Sequence, residues 1–364
     1  MKKTSLYEIH KQLGAKLIPF AGFEMPIQYK SIIEEYFAVR NSVGVFDVSH
    51  MGEIEIKGKD AFDFVQYLTT NDISKLESGK VQYSSMCYEN GGIVDDILVY
   101  SFGRFFQIVV NASNIEKDFN WMKEIGKNFD IEITNKSDEI SLLAIQGKNS
   151  LNTLQKVFDI DLSTLKFYTF TKTKFLEKEI LISRTGYTGE LGFELYFPSE
   201  KKISEEIWNK IFECGKEFNI QPIGLAARDL LRLEMGYCLY GNDISEEVNP
   251  VEASLDWITK FQKEFVGKNT IENSIKSGIG KKLVALKFNG EKVFPRNGYE
   301  IFKDNIKIGK LTSGIISPIL NSGIALGFVH TNFSTVGNEV DVLVRTKFEK
   351  AKIVELPFVE RNPR

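Results

Sequence analysis

The sequence predicts an α+β protein with more than one domain. It has 364 residues, enough for two or three domains of about 150 residues each. Strand-like runs alternate with helical patterns over most of the chain, whereas the residues from Lys282 onward hold only short strand-like runs separated by Gly, Asn and Pro turns. With 43% hydrophobic and 26% charged residues, the composition is that of a folded globular protein.

Two strand–turn–helix units are expected in the N-terminal part. Residues 54–56 predict a half-buried strand, and Asp60 is placed to cap a helix whose apolar positions are Phe62, Phe64, Val65 and Leu68. Residues 142–145 predict a second strand, followed by a turn at 147–149 and a helix that carries Leu151, Leu154 and Val157. Further helices are predicted over 201–218 and 225–235.

The C-terminal part predicts an all-β barrel or sandwich. Its strand-like runs are residues 283–288, 299–302, 308–311, 324–329 and 340–344. The polar stretch 267–281, rich in Lys, Asn, Ser and Gly, is the predicted linker before this part.

Charge and polarity exclude several classes of function. Lys and Arg total 46 against 49 Asp and Glu, so no global positive field favours nucleic acid as a partner. No run approaches the roughly 18 uncharged apolar residues that a membrane span needs. Glu8, His10 and Lys11 interrupt any apolar signal segment near the N-terminus. We therefore expect a cytoplasmic protein.

The cysteines and histidines predict no metal or redox site. The three cysteines form no C-x-x-C pair and are expected to be reduced core thiols; they are Cys87, Cys214 and Cys238. The chain has only three histidines, His10, His50 and His330, so few residues could serve as the base of a Ser-His-Asp triad. Acid–base chemistry is therefore expected from carboxylates.

Residues 91–100 hold the most informative candidate. Gly91 and Gly92 allow a tight turn or a close backbone approach, and a β-branched run follows them. Because side chains alternate along a strand, Asp95 and Asp96 should point to opposite faces, so that only one reaches a given pocket. The alternative is a solvated Asp doublet at the start of a strand.

Two other segments carry candidate binding residues. In residues 184–195 a Gly occurs at every third position, but a strand follows, so the pattern predicts a hairpin that exposes Tyr187 and positions Glu194 rather than a dinucleotide loop. A purely structural turn is the alternative. Arg228 and Arg232 should share one helix face, where an arginine pair suits a carboxylate or a flat heteroaromatic edge. Pairing with acidic residues on the same helix is the alternative.

Residues 47–53 predict a strand–turn–strand. A lone histidine such as His50 is most often a structural residue with satisfied ring nitrogens, and Met51 is more typical of a core than of a ligand pocket.

Together these segments resemble the aminomethyltransferase family of the glycine cleavage system, the T-proteins, over essentially the full chain. The matching runs are LGAK (13–16), FAGFEMP (20–26), AVR (38–40), VGVFDVSHMGE (43–53), GGIVDD (91–96), VVNA (109–112), RTGYTGELGFE (184–194), RDLLRLE (228–234), LYGND (239–243), TSG (312–314) and SP (317–318). Phe23 stands where the family commonly has Trp, an apolar exchange that changes little.

The resemblance implies a three-domain cloverleaf around a central folate pocket. Residues 1–275 would form two intertwined α+β subdomains, and residues 282–364 would form a C-terminal β-barrel domain. The implied reaction moves the methylene carbon of an aminomethyl group from the dihydrolipoyl arm of the lipoylated H-protein to tetrahydrofolate, and ammonia is released. Tetrahydrofolate would be a co-substrate, and no metal or nucleotide is implied.

The resemblance also implies roles for single residues. Asp96 matches the key catalytic carboxylate, which would hydrogen-bond the folate and manage the transferred protons. Glu194 matches the acceptor for the amino and ring N–H edge of the pterin. The other implied pocket residues are Met51, Tyr83, Tyr100, Asn111, Tyr187, Arg228, Tyr237 and Arg361.

Two other functions stay open at this point. The first is a folate-dependent demethylase or the folate domain of a sarcosine or dimethylglycine oxidase, although the chain has no room for a fused flavin domain and no dinucleotide fingerprint. The second is a folate-binding accessory protein of iron–sulfur assembly. That branch is marked by a Lys-Gly-Cys-Tyr segment with a following Gly-Gln, which the residues around Cys238 do not reproduce.

Overall fold

The computed structural model describes residues 1–291 and 293–360, whose strands form three larger sheets and a short N-terminal ribbon. The ribbon pairs β1 (Lys16–Phe20) with β2 (Phe23–Gln28), after helix α1 (Tyr7–Gln12). The mixture of helices and largely antiparallel sheets confirms the predicted α+β class. Over the described residues, no helix is long and apolar enough to cross a bilayer.

The first large sheet has five antiparallel strands. They are β4 (Gly52–Gly58), β5 (Val81–Cys87), β6 (Ile93–Ser101), β7 (Phe105–Val110) and β8 (Ile131–Asn135), in the spatial order β5-β6-β7-β4-β8. Helices α3 (Ala61–Leu68) and α4 (Ile115–Ile125) bury their apolar faces against this sheet. The predicted first unit is therefore confirmed. Asp60 precedes α3 as predicted, but its side chain caps no helix N–H and instead accepts from the Asp130 backbone N–H at 2.8 Å.

The second large sheet has six strands. They are β3 (Gly44–Asp47), β9 (Ile140–Gln146), β10 (Phe170–Phe175), β11 (Lys178–Ser183), β12 (Gly192–Pro198) and β13 (Gln221–Pro222), in the order β10-β11-β12-β9-β3-β13. Helices α5 (Ser150–Leu154) and α6 (Lys201–Gly215) pack on one face and enclose an apolar core with it. Helix α5 is shorter than predicted, so Val157 follows it in a turn.

The two sheets are interleaved in sequence and share a second core. The chain leaves the six-stranded sheet at Asp47, turns through residues 48–51 and enters the five-stranded sheet at Gly52, which confirms the predicted strand–turn–strand. Helices α2 (Ile32–Asn41) and α7 (Leu225–Glu234) pack against each other, and their buried residues join side chains from both sheets in one cluster. Ser31 begins α2 by accepting from the Glu34 backbone N–H at 3.2 Å, as an N-cap serine does.

The C-terminal strands close into a six-stranded barrel, which settles the choice between barrel and sandwich. The strands are β14 (Lys281–Glu291), β15 (Glu300–Lys303), β16 (Ile306–Ser317), β17 (Ser322–His330), β18 (Glu339–Val344) and β19 (Lys347–Val354). The five predicted runs fall in β14 to β18, except that Tyr299 precedes β15 by one residue. Strand β19 was not predicted, because only Ala351 and Ile353 of its side chains are fully buried and its other positions are largely polar.

The predicted linker is in large part a helix. Within the predicted linker 267–281, residues 268–277 form α8 (Lys268–Ser277). Ile271 is buried against Cys87 and Phe265, so one apolar side chain anchors an otherwise polar helix. The expected domain limits at 275 and 282 stay a prediction.

The cysteines differ in burial. All three are free thiols, and Cys87 and Cys238 are buried as predicted. The prediction that Cys214 is a core thiol is wrong, because this residue is partly exposed on α6.

Candidate functional site

A large cavity of about 1430 Å³ lies where the two sheets, helix α7 and the barrel meet. Tyr83 and Asp96 reach it from the five-stranded sheet, Glu194 from the six-stranded sheet, Arg228 from α7 and Leu326 from the barrel. Pockets for small molecules usually have volumes of about 300–1,000 Å³, so this cavity has room for a large ligand. Most of its wall is apolar, and the few polar groups therefore decide its chemistry.

Asp96 is the acidic group on the β6 side of the cavity. The hydroxyl of Tyr83 donates to Asp96 Oδ2 at 3.0 Å, and Nδ2 of Asn111 donates to Asp96 Oδ1 at 2.8 Å. Burial, and then the neighbouring Asp95 carboxyl, raise the pKa of Asp96 to about 7. A group with that pKa can both accept and return a proton near neutral pH.

Asp95 points away from the cavity into the protein. It is fully buried and accepts from the Asn111 backbone N–H at 2.9 Å, from Asn111 Nδ2 at 2.9 Å and from Asn114 Nδ2 at 2.6 Å. The predicted separation of the two neighbouring carboxyls by strand alternation is confirmed. The alternative of a solvated doublet is wrong.

Glu194 lies across the cavity on β12, only 7% exposed. Burial raises its pKa, while a hydrogen bond from the Thr185 hydroxyl and the positive charge of Arg228 act in the opposite direction. The predicted hairpin is confirmed: β11 and β12 pair antiparallel, and the connecting residues carry Thr185 and Tyr187 to the cavity wall.

Tyr100 does not line the cavity, which corrects its expected place in the pocket wall. It is fully buried, and its hydroxyl lies 2.8 Å from the Tyr196 hydroxyl and 3.4 Å from Thr185 Oγ1. Because Thr185 donates to Glu194, Tyr100 supports the cavity carboxylate from behind.

Arg228 places a positive charge at the cavity beside a pair of stacked aromatic rings. Its guanidinium carbon lies 4.7 Å from the centre of the Tyr187 ring, which stacks on Tyr237 with centroids 5.5 Å apart. The Tyr187 hydroxyl donates to the carbonyl of Cys238. Burial lowers the pKa of Arg228, with opposing contributions from Tyr187 and Glu194. An anionic or flat polar group of a ligand would fit beside this cation.

The second arginine of the predicted pair is already engaged. Arg232 also reaches the cavity wall, but it binds Asp229 at 2.8 Å and Asp243 at 2.6 Å. It therefore follows the structural alternative, and Arg228 alone is placed for a ligand.

Met51 and His50 line the cavity from the turn between the sheets. His50 is 3% exposed, and burial together with the charge of Arg228 lowers its pKa to about 4, so the ring is neutral. Its Nδ1 atom is buried without a hydrogen-bond partner among the described residues. The prediction of a fully satisfied structural histidine is therefore wrong.

Arg361, the remaining predicted pocket residue, lies outside the described residues.

No cluster of three or more His, Cys, Asp or Glu side chains that could hold a metal occurs within residues 1–291 and 293–360.

Three residues at or near the site were not predicted from the sequence. Trp257 stacks on Tyr83 with ring centroids 5.8 Å apart and is 60% exposed; a single aromatic residue in a loop gives no pattern to read. Asn114 and Asp118 lie behind Asp96. Asp118 could have been found, because it occupies the apolar face of α4 between Ile115 and Met122, where a carboxyl is unusual.

Comparisons with known proteins point to one family. Residues 6–263 match the family model described as the GCVT N-terminal domain, and residues 281–360 match the glycine cleavage T-protein C-terminal barrel domain. An aminomethyltransferase of Halothermothrix orenii is 49% identical over 361 residues, which cover 99% of this chain and 100% of that protein. One from Flavobacterium psychrophilum is 49% identical over 365 residues, covering 99% and 100%. The crystal structure of glycine cleavage system aminomethyltransferase T from Bartonella henselae superposes with a TM-score of 0.92 at 32% identity, covering 99% of this chain and 98% of that one.

Proposed function

This chain belongs to the glycine cleavage T-protein family of aminomethyltransferases, and we propose that its cavity transfers a methylene carbon from an aminomethyl group to tetrahydrofolate. The observation that carries this proposal is the setting of Asp96. It is a single carboxyl with a pKa near neutral, held by Tyr83 and Asn111 at the wall of a large apolar cavity.

The proton balance of the reaction explains why such a group is needed. Joining one carbon to two folate nitrogens removes two N–H protons, while the amine leaves as ammonia and the lipoyl sulfur leaves as a thiol. Each leaving group must gain a proton. We assign to Asp96 the uptake of a folate proton as the nitrogen attacks the carbon, and its return to a leaving group. Orientation of the two substrates in one cavity supplies much of the remaining rate enhancement.

The other cavity residues are assigned to binding. Glu194 would accept from the amino and ring N–H edge of the pterin, which a carboxylate can bind through two oxygens. Tyr187, Tyr237 and Met51 offer flat or flexible apolar contacts to the rings. Arg228 would face a polar or anionic part of the folate. Metal and nucleotide are absent from the proposed set of co-substrates.

The proposed donor is the lipoylated H-protein. A carrier arm must reach Asp96 from outside, and the cavity wall includes large apolar side chains that stay exposed, among them Trp257 at 60% and Phe294 at 54%. Such side chains at an opening can receive an apolar arm and the protein surface that carries it. The cytoplasmic location stays a prediction.

The decisive experiment incubates the purified protein with aminomethylated H-protein, with and without tetrahydrofolate. We expect ammonia and methylenetetrahydrofolate to form together only when tetrahydrofolate is present. Binding of tetrahydrofolate with no release of either product would reject the transferase. The demethylase and the iron–sulfur accessory protein would then be tested with other one-carbon donors.

A further inference from the structure

Behind the cavity wall, helix α4 carries a second buried carboxyl group, that of Asp118, on the side that faces Asp95. Asp118 and Asp95 are both fully buried. Asn114, one helical turn before Asp118 at the start of α4, donates from Nδ2 to Asp95 Oδ1 at 2.6 Å, so this end of α4 lies against Asp95. The Asp95 carboxyl raises the pKa of Asp118 through its charge and a hydrogen bond, after the larger effect of burial. Neither carboxyl oxygen of Asp118 meets an N–H or O–H donor among the residues that the structure describes. Asp118 is not part of the cavity wall, so contact with a substrate does not explain its presence in the core.

The contact between the two carboxyls requires a proton. Two ionised carboxylates cannot share a dry site, so one of them stays neutral. Asp95 accepts three N–H hydrogen bonds, from the backbone and side chain of Asn111 and from the side chain of Asn114, all of which favour its anion. Asp118 has no such donor. The proton therefore resides on Asp118, and burial followed by the Asp95 charge raises the pKa of Asp118 far above its usual value.

The surrounding charges agree with one anion at this place. Lys117 donates from Nζ to the Val94 carbonyl at 2.5 Å and to the Tyr240 hydroxyl at 2.9 Å. Burial lowers its pKa, while the charges of Asp118, Asp95 and Glu246 favour its cation. A single lysine therefore faces the carboxyls of Asp95 and Asp118, which agrees with one of the two staying neutral. The other titratable groups near this cluster are Asp96, Tyr88, Tyr240 and Glu246.

We propose that Asp118 is a positioning residue: its carboxylic acid donates to the Asp95 carboxylate and so keeps a negative charge directly behind Asp96. The link continues through Asn111, whose Nδ2 lies 2.9 Å from Asp95 Oδ1 and 2.8 Å from Asp96 Oδ1. The Asp95 charge increases the proton affinity of Asp96, which lets Asp96 exchange protons near neutral pH. The proposal rests on the proposed function in one respect, that Asp96 is the carboxyl whose ionisation governs the rate.

The test measures the single-turnover rate of methylene transfer against pH in three proteins. Asp118→Asn keeps a neutral donor of the same shape, since its Nδ2–H can still reach Asp95, and should keep the midpoint of the wild-type profile. Burial raises the pKa of Asp95, and the hydrogen bond from Asp118 is the largest of the contributions that lower it. Asp118→Leu removes that donor, so it favours the protonated form of Asp95 and weakens the negative charge beside Asp96. Its midpoint should move to lower pH by about one unit, a usual size for the loss of a nearby charge.

Two outcomes would overturn the proposal. Equal downward shifts in Asp118→Asn and Asp118→Leu would mean that Asp118 carries a negative charge in the native protein. Unchanged midpoints in both variants would mean that Asp118 serves packing alone. If Asp118→Leu does not fold, Asp95→Asn removes the same charge and must give the same downward shift.

A second readout does not depend on turnover. Infrared difference spectra of the whole protein should show a protonated carboxylic acid band that is lost in Asp118→Asn at neutral pH. Glu53 is the matched control, because it is another fully buried carboxyl without a partner among the described residues, whose pKa is raised by burial. Glu53→Gln should remove a different band and leave the first in place. If the wild type transfers no methylene group, the proposed function fails, while the presence or absence of the Asp118 band still decides where the proton is.

Discussion

At the scale of the residue, the adjacent aspartates Asp95 and Asp96 of strand β6 have different roles. Asp96 faces the cavity and keeps a proton affinity suited to exchange, while Asp95 is enclosed by amide donors and keeps a charge. Neither property belongs to aspartate itself; each follows from the number of donors and the depth of burial around it. The separation of roles makes distinct predictions for the two side chains.

Asp96→Asn should fold like the wild type and lose about 10²–10⁴-fold in methylene transfer, the usual contribution of an acid–base group. The amide can still hydrogen-bond Tyr83, but it cannot take up a proton. Single-turnover rates with aminomethylated H-protein measure the loss, and Asp95→Asn, which leaves Asp96 able to ionise, should lose less. Near-wild-type turnover of Asp96→Asn, or the reverse order of the two variants, would reject the assignment.

The rate of the wild type should rise with pH through about 7, where Asp96 loses its proton and becomes the base. Below this pH the carboxyl is already protonated and cannot accept from a folate nitrogen. A pH series of single-turnover rates tests this, with Asp96→Asn as the control, since its residual rate should show no such step. A wild-type profile without a break near neutral pH would contradict the role of Asp96.

The sequence predicted which face of β6 these side chains point to, but it did not predict how deeply each one is buried. Strand alternation correctly separated Asp95 from Asp96, because it depends only on backbone geometry. The same rule places Tyr100 on the face of Asp96, yet Tyr100 is covered by Phe170 and Tyr196 from the other sheet. Which part of a strand face remains open depends on distant segments that pack over it, and local periodicity carries no information about them.

At the scale of the element, the turn before β6 fixes where Asp96 begins to face the cavity. Gly91 adopts φ +85°, a conformation that side chains rarely take, and a Cβ atom at Gly92 would lie 2.0 Å from the carbonyl oxygen of Glu246. The predicted tight turn with close backbone approach is confirmed. The approaching residue could not be predicted, because it lies far away in the sequence.

Gly92→Ala should destabilise the protein by about 1–3 kcal/mol, the usual cost of overpacking, since the opposing atom is backbone and cannot swing aside. Urea denaturation measures the free energy of unfolding. Gly280→Ala is the matched control, because its Cβ would meet no atom within 4 Å, and it should change stability by less than about 0.5 kcal/mol. Equal stability of the two variants would show that the turn relaxes without cost.

Elements with weak apolar patterns were the ones that sequence periodicity missed. Helix α8 is held by Ile271, and β19 by Ala351 and Ile353, so each buries too little for its period to stand out. By contrast, α6 buries Ile203, Ile207 and Ile211 at regular spacing, and the predicted helix 201–218 covers its full length.

At the scale of the whole molecule, buried polar contacts join the barrel to the rest of the chain. Asp243 accepts from Arg232 at 2.6 Å and from Thr312 of β16 at 2.5 Å, and Arg232 also donates to Ser313 at 2.9 Å. Glu234, at the end of α7, accepts from Ser317 at 2.5 Å. The same helix carries Arg228 to the cavity, so the contacts that attach the barrel also hold a wall of the site.

Asp243→Asn should therefore lower the free energy of unfolding by about 3 kcal/mol, at the lower end of the range for breaking a buried ion pair, because Arg232 keeps Asp229 as a partner. Urea denaturation followed by tryptophan fluorescence measures the change, since Trp121, Trp208 and Trp257 all lie outside the barrel and report the effect on the other side of the contact. Asp341→Asn is the control within the barrel. It removes an ion pair to the exposed Lys350 and should cost less than about 1 kcal/mol. A larger loss of stability for Asp243→Asn than for Asp341→Asn, together with slower methylene transfer, would show that the barrel stabilises the wall that carries Arg228. If the two variants lose the same stability, the Asp243 contact does not couple the barrel to the cavity region.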